Sequence, residues 1–338
     1  MTAPDPRDGT ALEPGTGHGG RISVIVPAFN RGASIRRAID SIAGRSGAPV
    51  EVIVVDDGST DDTAAAAHAA GERAGLTDFG VIGQANAGPG AARNRGAAAA
   101  RGGYLAFLDS DDYWLPWTLQ ICETALAGGQ EPALVFLQTV DVEDRARPGF
   151  SEGAPVLNLF PGFLQAVDAI ATTRYGSCNV IIRRDVFKAL GGFTAQVRCS
   201  EDTDLFLRAA NLPCLVITGL PLVAHVQGHG DRLTGNFAQV ADGLAFLLAR
   251  DRAGLYPGVA SEAGPKARML AKSVVHTICA AFRAGRPGTA YRLYLCHLRL
   301  LLRARDWRWL VRLPLYPLLH LLRPGNYPMR WRTGQKEE

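Results

Sequence analysis

Four short apolar runs, each followed by a polar loop and then a helix-like segment, constrain this chain more than any other feature. Ile22 to Val26, Val50 to Val55, Phe79 to Ile82 and Tyr104 to Leu108 are rich in β-branched and aromatic residues and too short for buried helices. Between them, Ser34 to Ile42 repeats apolar residues at helical spacing, Asp61 to Ala74 is alanine-rich, and Gly88 to Ala100 opens with Gly-Pro-Gly. Strands alternating with helices of this length predict βαβ units and an α/β domain with a mainly parallel central sheet. In such a sheet ligands bind beyond the carboxyl ends of the strands. The sequence places Pro27-Ala28-Phe29-Asn30-Arg31, Asp56-Asp57-Gly58-Ser59, Asn86-Ala87-Gly88-Pro89-Gly90 and Asp109-Ser110-Asp111 at that rim. Helices beginning just after three of these loops aim their N-termini at the same edge, which favours anions.

The fourth loop is the most informative. Asp109, Asp111 and Asp112 follow directly on a buried strand. Desolvating carboxylates is costly unless positive charge compensates them. A few hard oxygen ligands suit Mg²⁺ or Mn²⁺, ions that keep waters and also hold phosphates. The pattern reads as a divalent ion bridging the protein to a phosphorylated ligand, with a solvated Asp-rich turn as the alternative. Asp56, Asp57 and Asp61 have a rival role as helix caps.

The second half is less regular. Pro116 to Leu126 reads as helix, Ala133 to Val140 as one strand, and Arg145 to Pro155 as a polar loop. Asn179 to Ile182 is strand-like, Arg184 to Leu190 is a helix stopped by Gly191-Gly192, and Glu201-Asp202-Thr203-Asp204 opens another helix. Cys214 to Ile217 and Leu222 to Val226 read as strands, and the chain is mainly helical from Asn236 onward. We therefore expect a Gly- and Pro-rich disordered leader over 1–20, a catalytic domain over 21–235 with halves 21–112 and 113–235, and a helical extension over 236–338.

Composition sets limits. The 338 residues are 47% apolar, enough for a substantial core, and the net charge of +4 gives no reason to expect a nucleic-acid partner. The six cysteines are scattered without zinc or redox spacing, which suits buried thiols in a reducing compartment. No run of about 18 apolar residues marks a transmembrane helix. The expected location is the cytoplasm, peripheral at the inner face of the membrane.

Five motifs together resemble family 2 glycosyltransferases of the GT-A fold. They are Ser23-Val24-Ile25-Val26-Pro27-Ala28-Phe29-Asn30, Val54-Val55-Asp56-Asp57-Gly58-Ser59-Thr60-Asp61, Gly88-Pro89-Gly90-Ala91-Ala92-Arg93-Asn94, Leu108-Asp109-Ser110-Asp111-Asp112, and Gly191-Gly192-Phe193 followed by Glu201-Asp202-Thr203-Asp204-Leu205. The resemblance covers roughly residues 21 to 230. It implies an inverting transfer of a sugar from a nucleotide-sugar, usually a UDP-sugar, to an acceptor hydroxyl of a glycan or lipid-linked molecule. It also implies roles. Pro27, Ala28, Asn30 and Arg31 would line the nucleotide and diphosphate. Asp57, with Asp56 behind it, would meet the base, and Arg93 the nucleotide. Asp109 would approach the ribose and the metal, Asp111 would bind the metal, and Asp202 would be the catalytic base with Glu201 beside it. The residues taken alone leave other roles open: Arg93 as partner of an acid, and Glu201-Asp202 as a helix-start charge pair. The resemblance suggests a diphosphate or metal contact for a histidine near His225 and His229, with a surface loop as the alternative. A nucleotidyltransferase and a non-catalytic sugar-nucleotide-binding scaffold are the competing readings.

Beyond the resemblance, Tyr291 to Leu322 interleaves leucine and tryptophan with Arg292, Arg299, Arg303, Arg305, Arg308 and Arg312. A basic helix of this kind suits contact with a membrane surface; the alternative is a helical subdomain packed on the core.

Overall fold

The structure, a computed structural model, describes residues 21–43, 50–143, 153–170, 173–227, 236–257, 264–304, 309–310 and 312–315. The expected leader, part of the 145–155 loop and His229 lie outside them. In the first half the elements run β1 (Ile22–Ala28), α1 (Ile35–Ile42), β2 (Glu51–Asp56), α2 (Thr63–Arg73), β3 (Phe79–Gly83), α3 (Pro89–Ala99) and β4 (Tyr104–Phe107). There follow β5 (Tyr113–Trp114), α4 (Thr118–Ala127), β6 (Leu134–Leu137), β7 (Thr139–Glu143), β8 (Val156–Phe160), α5 (Phe163–Ala169), β9 (Val180–Arg183), α6 (Arg184–Ala189), α7 (Glu201–Arg208), β10 (Cys214–Thr218) and β11 (Val223–Gln227). The C-terminal elements are α8 (Phe237–Arg252), α9 (Pro265–Arg283), α10 (Pro287–Cys296) and α11 (Leu298–Arg303), and the described residues 309–310 and 312–315 are also helical.

An eight-stranded sheet in the order β3-β2-β1-β4-β9-β6-β10-β8 forms the centre. β3, β2, β1 and β4 are mutually parallel, so the loops after all four emerge at one rim. β9 lies antiparallel between β4 and β6, and β8 closes the far edge antiparallel to β10. The first four strands are apolar on both faces for a reason visible in the packing. Val24, Val26, Val52, Val54, Ala106 and Leu108 join a core with α1, α2 and α4. Ile25, Ile53, Val55, Leu105 and Phe107 face the opposite core with α3, α6 and α7. A strand covered on both sides reads as a continuous apolar run.

The expected strand over Ala133 to Val140 is two strands in two sheets. β6 pairs in the central sheet, whereas β7 joins β5 and β11 in a three-stranded sheet. Gln138 is the pivot: its N–H donates to the Ile217 carbonyl, and its own carbonyl accepts from Leu222 and Val223. This small sheet matters because β11 sets His225 against the Asp109–Asp112 turn.

The C-terminal helices share the core of the sheet domain. Leu247, Tyr256, Met269 and Leu270 pack with Phe163, Phe206 and Leu207. No helix among the described residues is long and apolar enough to cross a membrane. Five cysteines are buried, Cys296 is exposed, and all six are free thiols.

Candidate active site

The loops at the carboxyl rim are tied to one another by backbone and side-chain hydrogen bonds. Asn30, in the left-handed region at φ 53°, donates its N–H to Ser59 Oγ at 2.9 Å and accepts the Thr60 N–H on Oδ1 at 2.8 Å. The Arg31 N–H donates to Thr63 Oγ1 at 2.7 Å. Asp56 Oδ1 accepts the Ser59 N–H at 3.0 Å, which shapes the turn before α2. The loops after β1 and β2 therefore act as one unit, with Pro27 and Ala28 in the strand end beneath it.

Asp57 is anchored at the same rim. It is buried, and its carboxylate accepts hydrogen bonds from Gln84 Nε2, Ala87 N–H and Gly88 N–H, each at 2.8 Å. A carboxylate with three internal donors is engaged in fixing the loop before α3.

Arg93 is likewise internal. It projects from α3 at 3% exposure, with one terminal nitrogen 2.7 Å from Asp109 Oδ1 and the other 2.7 Å from Glu201 Oε1. Its guanidinium also lies over the Phe193 ring. Both anions hold Arg93 firmly in its charged form. The next residue, Asn94, exchanges two hydrogen bonds with the Phe193 backbone, at 2.7 and 2.9 Å. One turn of α3 thus clamps the loop after β4 to the loop that begins α7, regions far apart in sequence.

That clamp brings the acidic residues to a single site. Carboxylate oxygens of Asp109, Asp111 and Asp112 lie within 4.8 Å of one another. Asp112 is buried and engaged: it accepts the Val226 N–H at 3.0 Å and stands 2.9 Å from His225 Nδ1. Cys178 Sγ lies close to the same pair. Asp109 carries the Arg93 bond. Asp111 has Arg31 at 3.9 Å. Burial, then the charges of Asp109 and Asp112, push the Asp111 carboxyl above the usual range despite that arginine. Crowded, hard oxygen donors with excess negative charge fit a divalent cation, and Asp109 and Asp111 are the two best disposed to hold one.

On the other side of the clamp, α7 starts at Ser200, a non-glycine residue in the left-handed region at φ 68°. Such backbone stores strain of order 1–3 kcal/mol and persists only where its surroundings hold it. Here Gly243 of α8 does so: a Cβ on that glycine would meet the Cys199 carbonyl oxygen at 2.5 Å. Asp202, in the first turn, is half-buried. Its Oδ1 accepts the Thr203 N–H at 2.6 Å. A Cβ on Gly176 would stand 3.9 Å from its Oδ2, so the glycine leaves room beside that oxygen. Burial raises the Asp202 pKa, with the Thr203 hydrogen bonds and Arg93 opposing. Glu201 is buried behind it; burial pushes its carboxyl up, while Arg93 pulls it down. Of this pair, Asp202 is the one with an oxygen disposed to take a proton, and Glu201 orients Arg93.

The resemblance left His225 undecided, and the structure sets it against Asp112 of the Asp109–Asp112 turn. Sequence reading missed Asn94 and the partners of Asp204. Asp204 is buried at 1% exposure and meets Arg208, Arg250 and the Tyr256 hydroxyl at 2.7 to 2.9 Å. The available signal was an acid directly before the apolar Leu205-Phe206-Leu207 run, since a charge drawn into a core requires partners.

Comparison with known proteins bears on the family and the fold. The sequence profile of glycosyl transferase family 2 matches residues 23–191. The succinoglycan biosynthesis protein ExoO of Rhizobium meliloti is 39% identical over 151 residues, 43% of this chain and 42% of that protein. An uncharacterized glycosyltransferase of Haemophilus influenzae is 27% identical over 195 residues, 57% of this chain and 63% of that protein. The chain therefore aligns with less than two thirds of the length of these curated relatives. Among solved structures, S. aureus TarS 1-349 in complex with UDP-GlcNAc superposes with a TM-score of 0.60 at 23% identity, over 77% of this chain and 73% of that one. The mannosyltransferase PcManGT from Pyrobaculum calidifontis, in complex with GDP-Man and Mn²⁺, gives 0.54 at 18% identity, over 90% and 81%. The shared architecture is the GT-A fold.

Proposed function

The chain belongs to glycosyl transferase family 2, and from that premise we propose that it moves a sugar, with inversion, from a nucleotide-sugar to an acceptor hydroxyl during surface polysaccharide synthesis. A UDP-sugar is the donor this reading favours, since the TarS structure holds UDP-GlcNAc. The succinoglycan relative supports a polysaccharide or lipid-linked acceptor.

One observation carries the proposal: Arg93 bridges Asp109 of the cation-binding turn to Glu201 beside Asp202. A leaving-group site and a base site are thereby held as one rigid unit. Pro27, Ala28, Asn30 and Arg31 line the donor side, and Asp56 and Asp57 fix that rim. Asp109 and Asp111 would hold Mg²⁺ or Mn²⁺, which when bound supplies Lewis-acid neutralisation of the diphosphate. The Mn²⁺ complex of PcManGT supports that choice of ion. Arg31, near Asp111, is placed to share the charge of the departing phosphates. Asp202 Oδ2 accepts the acceptor's hydroxyl proton as the oxygen attacks the anomeric carbon. A raised pKa suits this role, because a base works best with an affinity for protons near the working pH. His225, held by Asp112, flanks the diphosphate.

The test is a panel of UDP- and GDP-sugars assayed for nucleoside diphosphate release with Mn²⁺ and polysaccharide or lipid-linked acceptors. One donor class should turn over. Asp202→Asn should lower kcat by about 10² to 10⁴ while donor affinity changes little. Tight donor binding without turnover by any donor would instead indicate a non-catalytic sugar-nucleotide-binding protein.

A further inference from the structure

We infer that the outward face of the α10–α11 helical pair docks on an anionic membrane surface. The two helices are nearly one. The Leu301 N–H donates to the His297 carbonyl at 3.0 Å and the His297 N–H to the Leu293 carbonyl at 3.1 Å, so i to i+4 bonding runs through the junction. Helical periodicity therefore applies across residues 290 to 304. Ala290, Leu301 and Ala304 are buried against Val274, Val275 and Ile278 of α9. The opposite face carries two parallel rows. Tyr291, Leu295, Leu298 and Leu302 follow one another at spacings of four, three and four residues. Arg292, Cys296, Arg299 and Arg303 do the same one position on.

The exposure of the first row is not accidental scatter. Leu295 is 67% exposed, the highest value of any large apolar side chain among the described residues, and Tyr291 and Leu302 are exposed with it. Leu315 extends the patch: the Tyr291 hydroxyl donates to the Pro314 carbonyl at 3.0 Å, which brings exposed Leu315 to the same end. Arg312 is exposed as well.

Charge decides which occupant the face suits. Asp306 is the only acid between residues 263 and 336, a stretch that holds Arg283, Arg286, Arg292, Arg299, Arg303 and Arg312. A second copy of the chain would set one arginine row against another. An anionic bilayer offers headgroups to that row and an acyl boundary to the leucine row beside it, the arrangement of an interfacial helix. The inference does not depend on the transfer reaction, although a docked enzyme would stand where a lipid-linked acceptor resides.

Flotation of the full chain with phosphatidylglycerol-rich vesicles, against pure phosphatidylcholine vesicles, tests it. Binding to the anionic vesicles should exceed binding to neutral ones and fall as salt rises. Arg292→Gln with Arg299→Gln and Arg303→Gln should weaken it on the order of a hundredfold. Leu295→Asp with Leu302→Asp should weaken it at least about tenfold, and neither set should change donor turnover with a soluble acceptor. Equal flotation of wild type and variants, equal binding to neutral vesicles, or no flotation would overturn the inference. So would light scattering showing a wild-type dimer that Leu295→Asp with Leu302→Asp converts to monomer. Should the leucine variant melt early, the arginine variant and the salt series decide the matter.

Discussion

At the scale of single residues, Arg93 and Asp202 carry the account. Arg93 separates two acids that would otherwise face each other across a buried gap. Breaking a buried pair by removing one partner leaves uncompensated charge and costs about 3–5 kcal/mol. Arg93→Met should therefore lower stability by about that amount in urea unfolding, and Arg93→Lys, which keeps the charge but loses the fork, should fall between. A loss under about 1 kcal/mol would mean that the clamp is not structural. Asp202 makes a prediction of a different kind. In the proposed base role it would act only when deprotonated, and burial raises its pKa. Activity should be full at higher pH and fall as pH drops through a midpoint above the ordinary carboxylate range. A kcat profile flat down to pH about 4 would remove Asp202 from the base role.

Among elements, α7 is the one that other parts of the chain must hold. Its strained start at Ser200 lies under α8, and its buried Asp204 is gripped by Arg250 of α8 and by Tyr256 just beyond that helix. A side chain at Gly243 must displace the Cys199 backbone, which outweighs the roughly 1 kcal/mol that alanine gains over glycine in a helix. Gly243→Ala should therefore lower both thermal stability and kcat, with donor KM nearly unchanged; a more stable, fully active variant would show that α8 does not position the base. Elements also show where sequence was readable. β1, β2 and β4 announce themselves because both faces are buried, leaving unbroken apolar runs between loop signals, whereas β3 is half-buried at the sheet edge. The break at Gln138 is silent, because β6 and β7 differ in their partner sheets and not in composition. β8 and α5 were not anticipated: Val156, Leu157 and Leu159 are exposed on an edge strand, without the alternation that marks a half-buried one.

For the molecule as a whole, the site is a meeting of distant segments, and that is why only half of it was legible. The residue types at the rim were visible, since Asp109, Asp111 and Asp202 sit in recognisable strings. Their engagement was not. Whether Asp57 points outward or inward, or which acids Arg93 joins, depends on contacts such as Arg93 to Glu201 across 108 residues and His225 to Asp112 across 113. Local pattern carries no record of these. The C-terminal helices follow the same rule: sequence showed their basic, apolar composition, and only packing on α9 revealed which leucines are left outside. The account rests on excess negative charge at Asp109 and Asp111 that a divalent ion relieves while holding a nucleoside diphosphate. Titration of the turned-over nucleoside diphosphate by calorimetry, with Mn²⁺ and with chelator, on wild type and Asp111→Asn, tests this most directly. The account predicts binding that is metal-dependent in wild type and at least about tenfold weaker in the variant; equal affinity in chelator, or an unaffected variant, would contradict it.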